Sequence, residues 1–266
     1  MNVPHPPVSS APTFSPLIRG ERLSHHYHST HGQSTPALSE VSFNVSRGEF
    51  VCLLGPSGCG KTTLLNMIAG FLMPTRGRLE VSGEVVSGPS PHRGVVFQDY
   101  SLFPWLTVAE NVEFGLRMTD VASARRKEIV ADYLSMVGLA ASARRYPFEL
   151  SGGMKQRVAI ARALATNPDV LLMDEPFAAL DAMTRSALQK QLLDIHAREG
   201  KTVIFVTHNI GEAIVLATRI LVLSSHPGRI VEDIRVDLPH PRRRTSPEFN
   251  ALYERLTNAI GIETVD

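Results

Sequence analysis

The segment Gly55–Thr62, with the sequence GPSGCGKT, restricts the fold of this chain more than any other feature. It fits the pattern G-x-x-x-x-G-K-[ST] and lies between an apolar run at Phe50–Leu54 and a helical stretch that begins at Lys61. Its glycines allow a tight turn that directs backbone N–H groups at phosphate oxygens, and the positive end of the following helix faces the same anion. This segment, called the phosphate loop below, predicts a nucleotide site in an α/β domain without choosing among kinases, GTPases and ATPases.

The phosphate loop also gives individual residues expected roles. Lys61 is expected to reach the β- and γ-phosphates, and the Thr62 hydroxyl is expected to ligate Mg²⁺. A catalytic role for the Cys59 thiol is not expected, because many residue types serve at its position. The predicted nucleotide-binding residues of this segment are Gly55, Pro56, Ser57, Gly58, Cys59, Gly60, Lys61, Thr62 and Thr63.

Apolar runs without polar alternation are typical of strands buried on both faces of a parallel sheet. Five such runs are Phe50–Leu54, Gly94–Phe97, Val170–Met173, Val203–Val206 and Ile220–Leu223. Helical stretches are predicted at about Lys61–Gly70, Ser123–Val137, Gly152–Ala165, Met183–Arg198 and Gly211–Ala217. The alternation predicts a doubly wound α/β sheet.

One long block interrupts this alternation. Residues of about 100–167 carry little strand signal and predict a helical subdomain inserted in the α/β core. We therefore divide the chain into a Pro- and Ser-rich, disordered extension at 1–17, an ATPase domain at 18–225 and a C-terminal tail at 226–266. No internal repeat is present in the sequence, which predicts a single cassette.

Two adjacent acids, Asp174 and Glu175, end the apolar run that begins at Val170. At the end of a buried strand, Asp174 is placed to hold the magnesium shell and Glu175 to face the attacking water. Two adjacent acids alone are equally consistent with a cap of the next element. The phosphate loop upstream favours the catalytic interpretation.

The octapeptide LSGGMKQR at 150–157 opens another helix. Ser151 is expected to cap this helix, and a Ser followed by two glycines at a helix start also forms an anion site. The two interpretations are compatible, because the cap geometry is what makes the site. A second phosphate-type site far from the first in sequence suggests a nucleotide shared with a second copy of the chain.

At these residues the chain closely resembles the ABC ATPase family over about residues 20–225, because LSGG is that family's signature and the other motifs follow in its order. The resemblance implies a P-loop NTPase (RecA-like) core with an inserted α-helical subdomain, that is, an ABC cassette that hydrolyses ATP with Mg²⁺. Taken alone, Gln98 and His208 would be read as ordinary polar residues, and only the joint order assigns them.

The resemblance assigns the remaining roles residue by residue. Tyr27 is implied to stack on adenine, and His208 to contact the γ-phosphate. Catalysis is assigned to Glu175, His208, Gln98 and Lys61, and the Mg²⁺ ligands are Thr62, Gln98 and Asp174. The residues implied to act on the nucleotide of a second copy are Ser151, Gly152, Gly153 and Asp181.

Several segments resemble the branch that imports nitrate, taurine and aliphatic sulfonates, with the taurine type closest. They include LFPWLTV at 102–108, DEPFAALD at 174–181 and PGR at 227–229. The resemblance implies a homodimer, membrane permease subunits and, indirectly, a periplasmic solute-binding protein, with the chain peripheral on the cytoplasmic face of the inner membrane. Departures are Asn209 and Gly211, where members commonly carry acids, and Met154, where Gln is commonest.

Composition narrows the alternatives. A net charge of +1 argues against nucleic acid as the main ligand, and a DNA-maintenance ATPase on this cassette would need coiled coils, zinc modules or a basic face. Two cysteines fit a reducing compartment, and no signal peptide or membrane-spanning run is evident. We therefore expect a cytoplasmic protein whose membrane role comes through a partner.

Three further features of the sequence are an aromatic residue, a run of arginines and a group of histidines. Trp105 is expected to contact the permease, with local packing as the alternative. Arg242–Arg244 is expected to be a solvated charge run, with anionic lipid contact as the alternative. The histidines at 25, 26, 28 and 31 fit no closed zinc pattern.

Overall fold

A computed structural model of the protein describes residues 15–28 and 34–261. The predicted N-terminal extension lies outside these residues except for its last three, and so does His31. The main sheet has six strands in the order β10-β9-β3-β8-β7-β6. These strands are β3 (Phe50–Leu54), β6 (Arg93–Val96), β7 (Val170–Asp174), β8 (Thr202–Thr207), β9 (Arg219–Leu223) and β10 (Ile230–Arg235). All are parallel except β10, which is antiparallel to β9.

The helices are those that the sequence predicted, together with two more. They are α1 (Lys61–Ala69), α2 (Val108–Glu113), α3 (Ser123–Met136), α4 (Gly152–Ala165), α5 (Ala182–Glu199), α6 (Ile210–Leu216) and α7 (Pro247–Ile260). Every predicted strand and helix is present, with ends that differ by one residue at most. The continuous burial of strands such as β3 and β8 explains this agreement. An apolar run without polar alternation is typical of a strand that is buried on both faces of a sheet.

The helical insertion is confirmed. Between β6 and β7 the structure has α2, α3, α4 and short 3₁₀ turns, and no strand. Asn111 is fully buried and ties the preceding loop to α2 by donating to the carbonyls of Phe103 and Leu106. The amide N–H of Phe103 in turn donates to the Asn111 side chain at 2.9 Å.

An antiparallel sheet that the sequence analysis did not predict covers the other side of α1. Its order is β2-β1-β4-β5, from β1 (Ile18–His28), β2 (Ser34–Val45), β4 (Arg76–Val81) and β5 (Glu84–Val85). Irregular register between β1 and β2 after Gly20 and again after Leu23 shifts the alternation of inward and outward residues. That shift disturbs the period-two signal of β1, by which a half-buried strand is recognised in sequence. Strand β2 keeps a regular alternation of buried and exposed residues at 41–45, a signal that favours a half-buried strand.

The segment after residue 225 packs on the ATPase core. Strand β10 extends the main sheet, and α7 buries Phe249 and Leu256 in the same hydrophobic cluster as residues of α6. Arg242 corrects the interpretation of 242–244 as a solvated run. Its half-buried guanidinium donates to four carbonyls, those of Ile214, Ala217, Val236 and Leu238. Three consecutive arginines in sequence do not indicate which of them meets the unpaired carbonyls at the end of a helix.

Replacing Arg242 by methionine is expected to lower the free energy of unfolding by about 2–4 kcal/mol, because the carbonyls at the end of α6 lose their donors while the apolar stem is kept. Urea unfolding followed by circular dichroism measures the change. The neighbouring variant Arg243→Met, at an exposed position, is the matched control and should stay within about 0.5 kcal/mol of wild type. Equal effects of the two variants would contradict this role of Arg242.

Candidate nucleotide site

The phosphate loop joins the end of β3 to the start of α1 and packs against β2. Gly60 has a φ of 95°, and a Cβ there would lie 2.6 Å from Leu38 Cδ2 and 2.8 Å from the Ala37 carbonyl oxygen. Both the backbone conformation and the lack of space therefore require glycine at this position. The N-terminus of α1 faces the loop, as an anion site needs.

Lys61 is buried although it carries a charge. Its Nζ donates to the carbonyl oxygens of Gly55 and Pro56, each at 2.8 Å, so the ammonium lies across the loop that it belongs to. Cys59 Sγ lies 3.7 Å from the same ammonium. Burial raises the pKa of the Cys59 thiol above its ordinary value, and this keeps the thiol protonated, as expected for a residue with no catalytic role.

Thr62 and Asp174 connect α1 to the carboxyl end of β7. The Thr62 hydroxyl donates to Asp174 Oδ1 at 3.0 Å. Burial is the main cause that raises the pKa of Asp174, and the neighbouring Glu175 charge adds to this rise. The hydrogen bond from Thr62 acts in the opposite direction. A hydroxyl and a carboxylate held together are the oxygen donors that Mg²⁺ prefers, so these residues fit the metal that nucleotide chemistry requires.

Glu175 and His208 form a second contact at the same edge of the sheet. His208 Nδ1 and Glu175 Oε2 are 3.0 Å apart, because β7 and β8 are neighbours and both side chains follow their carboxyl ends. Glu175 has a φ of 41°, and its amide N–H donates to the Val206 carbonyl at 3.1 Å. A non-glycine residue in this conformation is strained, and such strain is concentrated at functional sites.

The phosphate loop and Glu175 border one cavity of about 320 Å³. Tyr27 lies at its rim, half-exposed, and its hydroxyl is 3.1 Å from Thr63 Oγ1. The structure thus brings Tyr27 to the phosphate loop, and its stacking on adenine stays a prediction. The lining residues are Tyr27, Thr35, Pro36, Ala37, Ser57, Gly58, Gly60, Lys61, Thr62, Thr63, Glu175 and His226.

Gln98 does not line this cavity. It follows β6, whose Val96 pairs with Met173 of β7, so it leaves the sheet at the same edge as Asp174 and Glu175. Gln98 therefore lies at the sheet edge of Asp174 and Glu175, and among the described residues its side chain forms no hydrogen bond with either carboxylate.

The four residues predicted to act on the nucleotide of a second copy lie outside the lining of the cavity. Ser151 caps α4 by accepting from the Met154 amide N–H, and Asp181 caps α5 by accepting from those of Met183 and Thr184. These bonds lower the pKa of Asp181. Gly153 brings the two helix starts together, since a Cβ there would lie 2.5 Å from Thr184 Cγ2.

Ser151 and Asp181 are exposed, and neither borders the cavity, nor do Gly152 and Gly153. The predicted cap at Ser151 is therefore present. The anion-binding role of these four residues stays a prediction that needs a second copy.

His226 is a cavity residue that the sequence analysis missed. Its Cε1 would lie 3.1 Å from a Cβ at Gly58, so the imidazole covers the phosphate loop. Backbone contacts fix it there, because Gly228 bonds to β2 through Ala37 and Ser39 and packs against the Cys59 carbonyl. In the sequence the PGR segment at 227–229 indicates only a family resemblance, and no local pattern predicts its contact with β2.

Asn209 is one of the departures from the pattern of the family that the sequence resembles. Its side chain caps α6 by accepting from the Glu212 amide N–H at 2.9 Å. The buried Glu212 carboxylate accepts from Thr207 Oγ1 at 2.6 Å and from Gln189 Nε2 at 3.0 Å. Asparagine thus supplies the N-cap of α6, as an acid at this position would.

The fold and this arrangement define a nucleotide-hydrolysing cassette. The family described as ABC transporter matches residues 38–178, more than half of the chain, and this chain belongs to that family as an ATPase. It is 50% identical over 235 residues to the taurine import ATP-binding protein TauB of Chromobacterium violaceum, covering 85% of this chain and 89% of that protein. It is 46% identical over 241 residues to the nitrate import ATP-binding protein NrtD of Synechocystis, covering 87% and 91%.

A solved structure agrees with the fold. The ATP-binding cassette MJ0796, in a dimeric post-hydrolysis state bound to ADP and Pi, superposes with a TM-score of 0.73 at 33% identity, over 84% of this chain and 100% of that one. The relatives place the chain in the branch of nitrate, taurine and sulfonate ABC ATPases. No helix among residues 15–28 and 34–261 is long and apolar enough to cross a membrane.

Proposed function

We propose that this chain is the ATP-hydrolysing subunit of an ABC importer that takes up a small anionic solute, most specifically taurine or another sulfonate. The observation that carries the ATPase part is the convergence of Thr62–Asp174 and Glu175–His208 on one phosphate loop. The solute rests on resemblance alone, because an ATPase of this kind need not touch what is transported.

In this proposal ATP lies in the cavity with its phosphates on the loop. Lys61 exchanges the Gly55 and Pro56 carbonyls for the β- and γ-phosphates, and Thr62, Asp174 and Gln98 would hold Mg²⁺. The metal supplies charge neutralisation at the phosphates. Glu175 polarises the attacking water, and its contact with His208 fixes the carboxylate and brings the imidazole to the γ-phosphate side.

Two copies complete the site. The side chains of Ser151 and Asp181 are exposed outside the cavity, and Gly153 is buried between the two helix starts. We therefore assign these three residues to the nucleotide of a second chain. The dimeric state of the related cassette MJ0796 supports this arrangement. ATP closes the interface between the copies, and hydrolysis opens it.

The permease contact is assigned to the surface around Trp105. Its side chain is 70% exposed, and Phe103, 5.7 Å away between ring centres, packs on Phe114. A large exposed aromatic residue is typical of an interaction surface. The chain is then peripheral on the cytoplasmic face of the inner membrane and meets a periplasmic solute-binding protein only through the permease.

His226→Ala is expected to raise the KM for ATP roughly 5- to 10-fold and to leave kcat within about twofold, because the imidazole borders the loop but not the water-activating pair. Steady-state phosphate release over a range of ATP concentrations measures both constants. His92→Ala, on an exposed histidine beside Asp169, is the control. A fall in kcat with unchanged KM would contradict a nucleotide-binding role of His226.

Uptake tests the solute. A deletion strain should lose uptake of radiolabelled taurine and growth on taurine as sole sulfur source, and plasmid-borne wild type should restore both where Lys61→Ala does not. Loss of nitrate uptake with normal taurine uptake would favour the nitrate- or bicarbonate-type alternative, which the similarity to NrtD supports. Normal uptake of both would exclude the two solutes.

A further inference from the structure

A second cavity, of about 620 Å³, lies between α5, α6 and the segment at 240–244. It shares no lining residue with the nucleotide cavity. Its walls are largely apolar and include Leu193, Ala197, Val215, Leu216 and Pro241. A cavity of this size with apolar walls and a few polar groups has the properties of a small-molecule site.

The charged groups of this pocket favour an anion. Lys190, Arg242 and Arg244 line it, against a single carboxylate from Asp194. Burial lowers the pKa values of His196 and His240, which also line it, so these imidazoles are neutral near pH 7 and do not add to the positive charge.

The three cations of the pocket are not equivalent. Arg242 donates to carbonyl groups of the protein itself, as described above. Lys190 and Arg244 are exposed and form no ion pair with a carboxylate in the part of the chain that the structure describes. Arg244 lies against Gly211, which has no side chain to pair with it. The pocket therefore has two cations available to a ligand.

One lining residue connects the pocket to the nucleotide site. Gln189 is buried, borders the pocket and donates to Glu212 at 3.0 Å. Glu212 accepts at 2.6 Å from Thr207, the residue before His208. A ligand that moves Gln189 thus acts on the strand end that positions His208 against Glu175.

We propose that this pocket is an effector site for a small organic anion with an apolar body, and that occupancy changes the rate of ATP hydrolysis through Gln189 and Glu212. The apolar walls bind the body of the ligand, and Arg244 and Lys190 bind its sulfonate, carboxylate or phosphate group. By linkage, a nucleotide state that shifts Gln189 also changes the affinity of the pocket for its ligand.

The probe 1-anilinonaphthalene-8-sulfonate combines an aromatic body with one sulfonate, and its fluorescence reports binding to the full chain. Arg244→Glu is expected to weaken its binding roughly 10-fold or more, since a charge-assisted hydrogen bond is replaced by repulsion. Arg243→Glu makes the same charge change at a neighbouring exposed residue outside the pocket and should leave the affinity within about twofold. The uncharged analogue N-phenyl-1-naphthylamine should bind wild type roughly 10-fold more weakly.

A variant that fills the pocket separates shape from charge. Ala197→Trp adds bulk to the apolar wall and should abolish saturable probe binding without a change in net charge. Thermal unfolding verifies that each variant is folded. Equal binding to wild type, Arg244→Glu and Ala197→Trp would place the probe elsewhere on the surface and overturn the site.

Hydrolysis tests the connection. A saturating probe concentration should change kcat for ATP at least about threefold in wild type, because a shift of Glu212 and Thr207 moves His208 relative to Glu175. Gln189→Met removes the amide that bonds to Glu212 and should retain probe binding while reducing this effect to less than about 1.5-fold. If the probe binds saturably and depends on Arg244 but does not change kcat in wild type, the pocket binds anions without acting on hydrolysis. That result would overturn its role as an effector site.

Discussion

Glu175→Gln is expected to reduce the rate of ATP hydrolysis by on the order of 10²-fold or more, while ATP binding is nearly unchanged. The amide keeps the size of the side chain and its contact distance to His208, but it does not polarise water as a carboxylate does. Phosphate release at saturating ATP measures the rate, and equilibrium binding of a fluorescent ATP analogue measures the affinity.

Glu84→Gln provides the control, because Glu84 is an exposed residue of β5 that does not line the nucleotide cavity. His208→Ala should also be slow, and the double variant should be much less impaired than the product of the two single losses, since groups that act as a unit are not additive. A Glu175→Gln protein that keeps a third or more of the wild-type rate would contradict the role of Glu175.

Lys61→Ala is expected to abolish measurable ATP binding at micromolar concentrations and to lower hydrolysis by on the order of 10²-fold or more. The Lys61 ammonium is buried within the phosphate loop, and the loop carbonyls of Gly55 and Pro56 that now accept from it would otherwise face the anion. Isothermal titration with ATP and Mg²⁺ measures the affinity.

Lys127→Ala, at an exposed position of α3, removes one lysine away from the phosphate loop and the α4 start and should bind ATP as wild type does. Circular dichroism distinguishes lost binding from lost folding, because Lys61 is buried. Wild-type affinity in a folded Lys61→Ala protein would contradict the assignment of the phosphate loop as the ATP site.

The sequence predicted the parts of this protein that depend on local patterns. The strand–loop–helix at 50–69 and the acids after β7 were readable because the motif and the buried run are contiguous in sequence. Pairing of β7 with β8 then brings Glu175 to His208, and this follows from a parallel sheet whose strand ends share one edge.

The parts that were missed depend on contacts between distant residues. The irregular register of β1 disturbs the alternation that would have predicted the antiparallel sheet. His226 lies over the phosphate loop because Gly228 pairs with Leu38, and these two residues are far apart in sequence. In the sequence nothing distinguishes Arg242 from the two arginines that follow it. The structure distinguishes it, because its guanidinium donates to the carbonyls at the end of α6. Such contacts leave no periodic trace in a single sequence.

The central claim is that the ATP site is shared between two copies, with the phosphate loop of one chain and Ser151 of the other on the same nucleotide. Within one chain the two surfaces are separate, since the cavity lining includes Lys61 and Glu175 but not Ser151, Gly153 or Asp181. The Glu175→Gln background tests the claim most directly, because slow hydrolysis keeps ATP in place.

Sedimentation equilibrium of Glu175→Gln with ATP should give twice the 29.1 kDa chain mass, and the mass of one chain without nucleotide. Adding Ser151→Arg, which places bulk and charge at the α4 start, should keep the mass at one chain while each chain still binds ATP. A single-chain mass for Glu175→Gln with bound ATP, or an ATP-dependent dimer that Ser151→Arg does not disturb, would contradict the shared site.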